Sequence, residues 1–196
     1  MNNSTLLWIG VAVLIGFVGC NKYNGMVEKD QTVKTKWGEV QNQYQRRSDL
    51  IGNLVDVVKA NSTFEKGTLE AVVQARAAAT QMKVDASNLT PEQIQEFNKN
   101  QNGLSQAMGK LMMVTENYPD LKAGQSFRDL SAEIAGTENR CTVARGDFNK
   151  SVQVYNTAIK KFPSNLFAGV FGFREQPNVS APQAAQDAPK LGTGKF

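Results

Sequence analysis

The chain has 196 residues, 41% hydrophobic and 20% charged, a balance that suits one folded domain with an added tail or anchor and argues against wholesale disorder. Lys and Arg outnumber Asp and Glu by 22 to 18, and the excess is spread along the chain rather than gathered into a basic stripe with aromatics, so nucleic acid is not an expected partner. No histidine is present, which removes Ser-His and Cys-His nucleophiles, His-ligated metals and the usual neutral-pH proton shuttle, and the two cysteines, Cys20 and Cys141, cannot build a thiolate zinc cage. No enzyme activity and no cofactor are expected.

Residues 6–20 read Leu-Leu-Trp-Ile-Gly-Val-Ala-Val-Leu-Ile-Gly-Phe-Val-Gly-Cys, with no charge before Lys22. As a helix this run rises about 22 Å, short of the roughly 30 Å of a bilayer core. Two readings of residues 1–21 follow. Phe17-Val18-Gly19-Cys20 resembles a bacterial lipobox, which makes Cys20 a lipidation candidate, although Phe17 replaces the usual Leu and no Lys or Arg precedes the run. Alternatively the segment is an uncleaved anchor, flanked by Trp8 and Tyr23 as interfacial aromatics and followed by Lys22, Lys29, Lys34 and Lys36. The readings agree on a membrane and differ on its side; the anchor is slightly favoured.

From residue 22 to 162 the apolar spacing is helical, and no stretch alternates long enough for a strand. The first helix is expected over about 22–60. Met26, Val33, Val40, Arg47 and Leu54 form one seven-residue row, and Asp30, Trp37, Tyr44, Ile51 and Val58 its companion. Gly52 is its weak point, costing about 1 kcal/mol against Ala. The second helix, about 62–83, opens on a Ser62-Thr63-Phe64-Glu65 capping box and presents Leu69, Val72, Val73, Ala75, Ala79 and Met82. A loop over 85–90 leads to the third, capped by Thr90 with Pro91 at its first position; Phe97, Leu104, Leu111 and Tyr118 recur along it, and Pro119 ends it. The fourth, about 125–161, carries Phe127, Ile134, Cys141, Phe148, Tyr155 and Phe162 on a large row, and Leu130, Thr137, Ala144, Ser151 and Ala158 on a smaller one. Short connections predict an all-α, antiparallel up-down-up-down bundle with long first and last helices, which outreach the other two as a stalk.

That topology returns the fourth helix toward the apolar start. The segment after it holds Phe162, Leu166, Phe167, Phe171 and Phe173, candidates for a membrane interface or for a cap on the open end of the core. Residues 22–173 form the expected bundle. Residues 174–196, with Pro177, Pro182 and Pro189, read as a disordered tail. Arg47 interrupts an apolar row and needs a carboxylate there; Glu138 is the first choice, as a pair that fixes helix register, ahead of Glu133 and Glu116. Removing Glu138 is then expected to cost roughly 3–5 kcal/mol if the ion is buried.

Three blocks carry a family resemblance. Tyr23-Asn24-Gly25-Met26-Val27, Trp37, Gln43-Tyr44-Gln45-Arg46-Arg47-Ser48-Asp49-Leu50-Ile51 and Asn53-Leu54-Val55 form the first. Glu116-Asn117-Tyr118-Pro119-Asp120-Leu121-Lys122-Ala123 is the second. The third comprises Thr137-Glu138-Asn139-Arg140, Ala144-Arg145, Phe148-Asn149, Tyr155-Asn156 and Phe162-Pro163-Ser164-Asn165. Over about 22–173 the chain resembles the LemA family, with Gly52 where that family usually has proline and Phe148 where it often has tyrosine. The resemblance implies a bacterial membrane-associated helical protein, with relatives in envelope processes and magnetosome membranes, and no established general activity or catalytic residues. The function expected is that of a non-enzymatic, membrane-anchored envelope protein whose partners are the membrane and other envelope proteins. The alternative is a bundle that binds a small ligand, lipid or peptide at the membrane surface.

Overall fold

The computed structural model describes residues 3–60, 64–82 and 84–179. It is all-helical, with no strand among the described residues. The elements are α1 (Asn3–Lys59), α2 (Lys66–Gln81), α3 (Pro91–Thr115), α4 (Pro119–Ala123), α5 (Gln125–Lys160) and α6 (Ser164–Phe171).

The apolar start and the expected first helix are one element. With 57 residues, α1 runs for about 86 Å without a break. No proline interrupts it, and Gly52 retains the N–H that a proline would lack. The position is filled from outside: a Cβ at Gly52 would stand 3.0 Å from Arg76 Cζ of α2, and Arg76 Nε donates to the Ser48 carbonyl at 2.9 Å. α5 returns antiparallel along α1, as cross-pairs show: Arg46 with Glu133, Arg47 with Glu138, and Trp37 with Phe148; α6 continues the seam, with Phe171 against Tyr23.

Two cores lie along this seam. The distal one packs Ile51, Leu54 and Val58 of α1 against Val72 of α2, Leu104 and Leu111 of α3, and Phe127 and Ile134 of α5. The proximal one packs Met26, Val33, Trp37 and Val40 against Phe97 and against Cys141, Phe148, Val152 and Tyr155 of α5. Trp37 is fully buried between the Phe97 and Phe148 rings, and its Nε1 donates to the Val84 carbonyl at 3.1 Å. Gln41 Nε2 donates to the same oxygen at 2.9 Å, so α1 holds the α2–α3 connection directly.

Several boundaries differ from the sequence reading. α2 starts at Lys66 with Glu65 as its N-cap and no side-chain cap bond, so Glu65 is not the third residue of a capping box; Ser62, Thr63 and Lys83 lie outside the described residues. Val73, assigned to the apolar face, is exposed, because the face that meets α1 and α3 is carried by Thr68, Leu69, Val72 and Ala79. Thr90 caps α3 as expected, with Gln93 completing a reciprocal box. α3 stops at Thr115, and Pro119 opens the short α4, a position that suits its fixed φ and missing donor. Phe162 follows α5 and is 80% exposed, so the large row ends in the core at Tyr155.

The chain after α5 is also more ordered than its composition suggests. α6 closes on Gly172, whose φ of 76° is a left-handed value that favours glycine, with the Phe173 N–H donating to the Ala168 carbonyl at 3.0 Å. Residues 173–179 then run back along α5 without helical structure and bury Val179 in the proximal core. The expected featureless tail therefore begins with a packed strap; residues 180–196 lie outside the described residues.

Candidate functional site: an apolar pole and a mid-bundle charge layer

The candidate interface residues gather at one end. Gly19 of α1 is buried under α6; a Cβ there would meet the Phe167 ring at 3.0 Å, so glycine permits the close approach. Tyr23 stacks edge-on with Phe171 at 5.0 Å and lies 5.7 Å from Phe173. Phe167 and Phe173 are thus partly buried and serve as the cap on the core. Phe162, Leu166, Val170 and Phe171 remain exposed, by 80, 61, 80 and 48%. On the adjoining turns of α1, Leu7, Trp8, Ile9, Val13 and Phe17 are exposed by 52 to 71%. The start of α1 thus projects with exposed apolar side chains from the end of the bundle on which α6 lies. Single exposed apolar residues are ordinary, but a shared cluster marks an interaction surface.

A groove of about 710 Å³ lies just above this pole between α1 and α5. Lys22, Lys29, Lys150 and Lys161 line it, with no carboxylate among the lining residues. Cys20 lies exposed on α1 next to the Gly19 contact. Among the described residues, no helix is long and apolar enough to cross a membrane. The spanning anchor favoured from sequence thus lacks support from length, since the apolar run of residues 6–20 falls short of a bilayer core by about 8 Å.

The second candidate lies between the two cores. Arg47 is buried, and its Nη1 stands 2.6 Å from Glu138 Oε2. The pair is lopsided: the Arg47 side chain is 9% exposed and that of Glu138 is 45% exposed. Water screens the carboxylate end, so the cost expected for a fully buried pair is too large here. Glu133 pairs with Arg46 at 2.7 Å instead, and Glu116 with Lys122. The sequence reading missed Arg145, a second buried guanidinium one helical turn from Cys141, which donates to Thr142 Oγ1 at 3.1 Å. The available signal was a charged residue beside the small row of α5, next to Ala144. Tyr44, Cys141 and these charges share one neighbourhood. Burial pushes the Cys141 thiol up to about 11 and the Tyr44 phenol up to about 12, so neither supplies an anion at neutral pH.

Elsewhere polar groups are spent on the fold. An open cavity of about 390 Å³ beside the α2–α3 connection is lined by Gln41, Tyr44, Phe97 and Gln101. Gln41 is committed to the Val84 carbonyl, and Gln101 Nε2 donates to the Ala79 carbonyl at 3.3 Å. Among the described residues no group of three or more Cys, Asp or Glu could hold a metal ion.

These features define a class: a long helical bundle with one apolar, lysine-rimmed pole and a charge layer of structural kind. The chain belongs to the LemA family, whose model matches residues 36–192. It is similar to the magnetosome protein MamQ of Magnetospirillum gryphiswaldense, 24% identical over 192 residues that cover 86% of this chain and 69% of that protein. A magnetosome protein MamQ of Paramagnetospirillum magneticum is 23% identical over the same shares. Protein LemA of Metamycoplasma hominis is 24% identical over 152 residues, 78% of this chain and 66% of that protein.

Proposed function

We propose that this protein is a non-enzymatic, membrane-attached scaffold. Its apolar pole, built from the start of α1 together with α6, enters the lipid, while the bundle stands away from the surface and offers its sides to other envelope proteins. The observation that carries the reading is that α6 packs on α1 at Gly19 and Tyr23, so that its exposed Leu166 and Val170 lie at the end from which the exposed start of α1, with Trp8 and Phe17, projects. Where α1 alone is short for a span, α6 adds apolar surface at the headgroup boundary. The four lysines around the groove above the pole would lie at headgroup level and favour anionic lipid by about 1 kcal/mol each. Acylation of Cys20 after cleavage at the lipobox is the competing mode of attachment: it would remove the start of α1 and leave the acyl chains and α6 as the anchor.

Flotation of the full chain with vesicles tests the reading. Binding to vesicles that contain phosphatidylglycerol should exceed binding to phosphatidylcholine vesicles and weaken with salt. Leu166→Asp with Val170→Asp should reduce binding to both, with the helical circular dichroism unchanged. Equal binding by the variant would remove α6 from the interface. Failure of the native chain to float would overturn membrane attachment. Mass spectrometry of the N-terminus from native membranes would distinguish an acylated Cys20 from an intact Met1.

A further inference from the structure

The strap of residues 173–179 is held in an unusual way. Asn149 Nδ2 donates to the Val179 carbonyl at 2.8 Å, and the Val179 N–H donates to Asn149 Oδ1 at 2.8 Å. One heptad further along α5, Asn156 Nδ2 donates to the Gln176 carbonyl at 2.8 Å and Oδ1 accepts from the Gln176 N–H at 2.9 Å. Each carboxamide thus satisfies both main-chain groups of one residue, as a neighbouring strand would. The spacing matches: seven helical residues rise about 10.5 Å, and three extended residues span about 10 Å. Between them Tyr155, held protonated by burial, donates its Oη to the Arg174 carbonyl at 2.9 Å. The side chains of the strap matter less. Arg174 and Asn178 are exposed, Glu175 is exposed but pairs with Lys160 of α5 at 2.7 Å, Phe173 is partly buried, and Val179 is the strap residue buried in the proximal core, 2% exposed.

We propose that the Asn149–Asn156 face of α5 is a binding site for extended peptide, occupied in cis by residues 173–179 and able to take the same segment from a second copy of this chain. The site reads main chain through the two asparagines and one aliphatic side chain through the Val179 pocket. A segment held in this way is complementary in trans to the same degree as in cis. Two chains standing side by side can therefore exchange straps and become linked without any new surface, as in other segment exchanges. The effective concentration of the tethered strap favours the closed monomer at low density, and crowding of chains favours the exchanged form.

Two full-length variants in detergent separate donor from acceptor. A Val179→Asp chain has a site that its own strap no longer fills. An Asn149→Ala, Asn156→Ala chain cannot hold a strap but carries an intact one. A tagged Val179→Asp chain should capture the double-alanine chain, neither should capture itself, and a synthetic peptide of residues 173–179 should compete. The same labelled peptide should bind the Val179→Asp chain and lose about tenfold or more in affinity when both asparagines are also replaced. Absence of capture, capture that the peptide does not compete, or peptide binding indifferent to the asparagines would overturn the proposal. So would loss of the helical circular dichroism in either variant, since the strap would then be a fixed part of the core and not an exchangeable occupant.

Discussion

Beyond Arg47, α1 packs its apolar rows against α2, α3 and α5, and the distal core is closed mainly by helices, with Phe64 of the α1–α2 connection added. Before Trp37 it has α5 beside it but neither α2 nor the body of α3, and the seam is closed by α6 and by an extended strap. The same seven-residue pattern runs through both halves, so the difference lies in what covers it. A helical cover announces itself by its own periodicity. The proximal cover works through asparagine carboxamides, a left-handed glycine and one valine, and leaves almost no pattern.

Substitutions can break that comparison at graded strength. Trp37→Ala, where the proximal core meets the α2–α3 connection, should cost about 3–5 kcal/mol in denaturant unfolding, as much as any single change in the distal core. Asn149→Ala removes two hydrogen bonds to the strap and should cost about 1–3 kcal/mol, with faster hydrogen exchange near residues 149–156 and none of that change near Leu111. Exchange that quickens equally in both halves would mean that they are one cooperative unit. Glu138→Ala should cost about 1–2 kcal/mol because its carboxylate is half exposed, and Glu138→Gln less. A change under about 0.5 kcal/mol would show that Arg47 finds other acceptors.

The alkaline limb sharpens the picture of the middle layer. The Cys141 thiol has an ordinary value of 9.0 and is raised by burial to about 11 in the fold. Below pH 9 it is protonated in both states and the stability is complete. As pH rises from 9 to 11 the unfolded chain releases the proton while the folded chain keeps it, so the melting temperature should fall, and Cys141→Ala should flatten that fall. Alkylation should reach exposed Cys20 long before Cys141. The smallest effect concerns Gly52. Gly52→Ala should gain about 1 kcal/mol of helix propensity when Arg76 is also replaced by alanine, and less when Arg76 is present, because its guanidinium fills the space.

Much of the helical framework was legible because its signals are local. Heptad rows, the Thr90-Pro91 start and the position of Arg47 opposite Glu138 follow from spacing and from antiparallel return. The first helix, expected from about residue 22, starts at Asn3 instead: a change from apolar to amphipathic composition does not stop a helix when nothing in it disfavours helical geometry. The strap was misread for the converse reason. Its proline, Pro177, and its polar residues show that it makes no helix, but not that it lacks partners, and those partners lie 20 and 30 residues away on α5. Of the aromatic cluster after α5, its place near Tyr23 was readable from topology. Its division into a buried cap, Phe167 and Phe173, and an exposed face, Phe162 and Leu166, depends on α6 lying across Gly19.

The most direct test of the account is quenching of tryptophan fluorescence by brominated lipid in chains that keep a single indole. The native Trp8, with Trp37→Phe, should be quenched in vesicles, and so should an indole placed by Leu166→Trp with both native tryptophans changed to Phe. Trp37 with Trp8→Phe should be unaffected. Quenching at Trp8 alone would take α6 out of the membrane interface, and equal quenching at Trp37 would contradict a bundle that stands clear of the lipid.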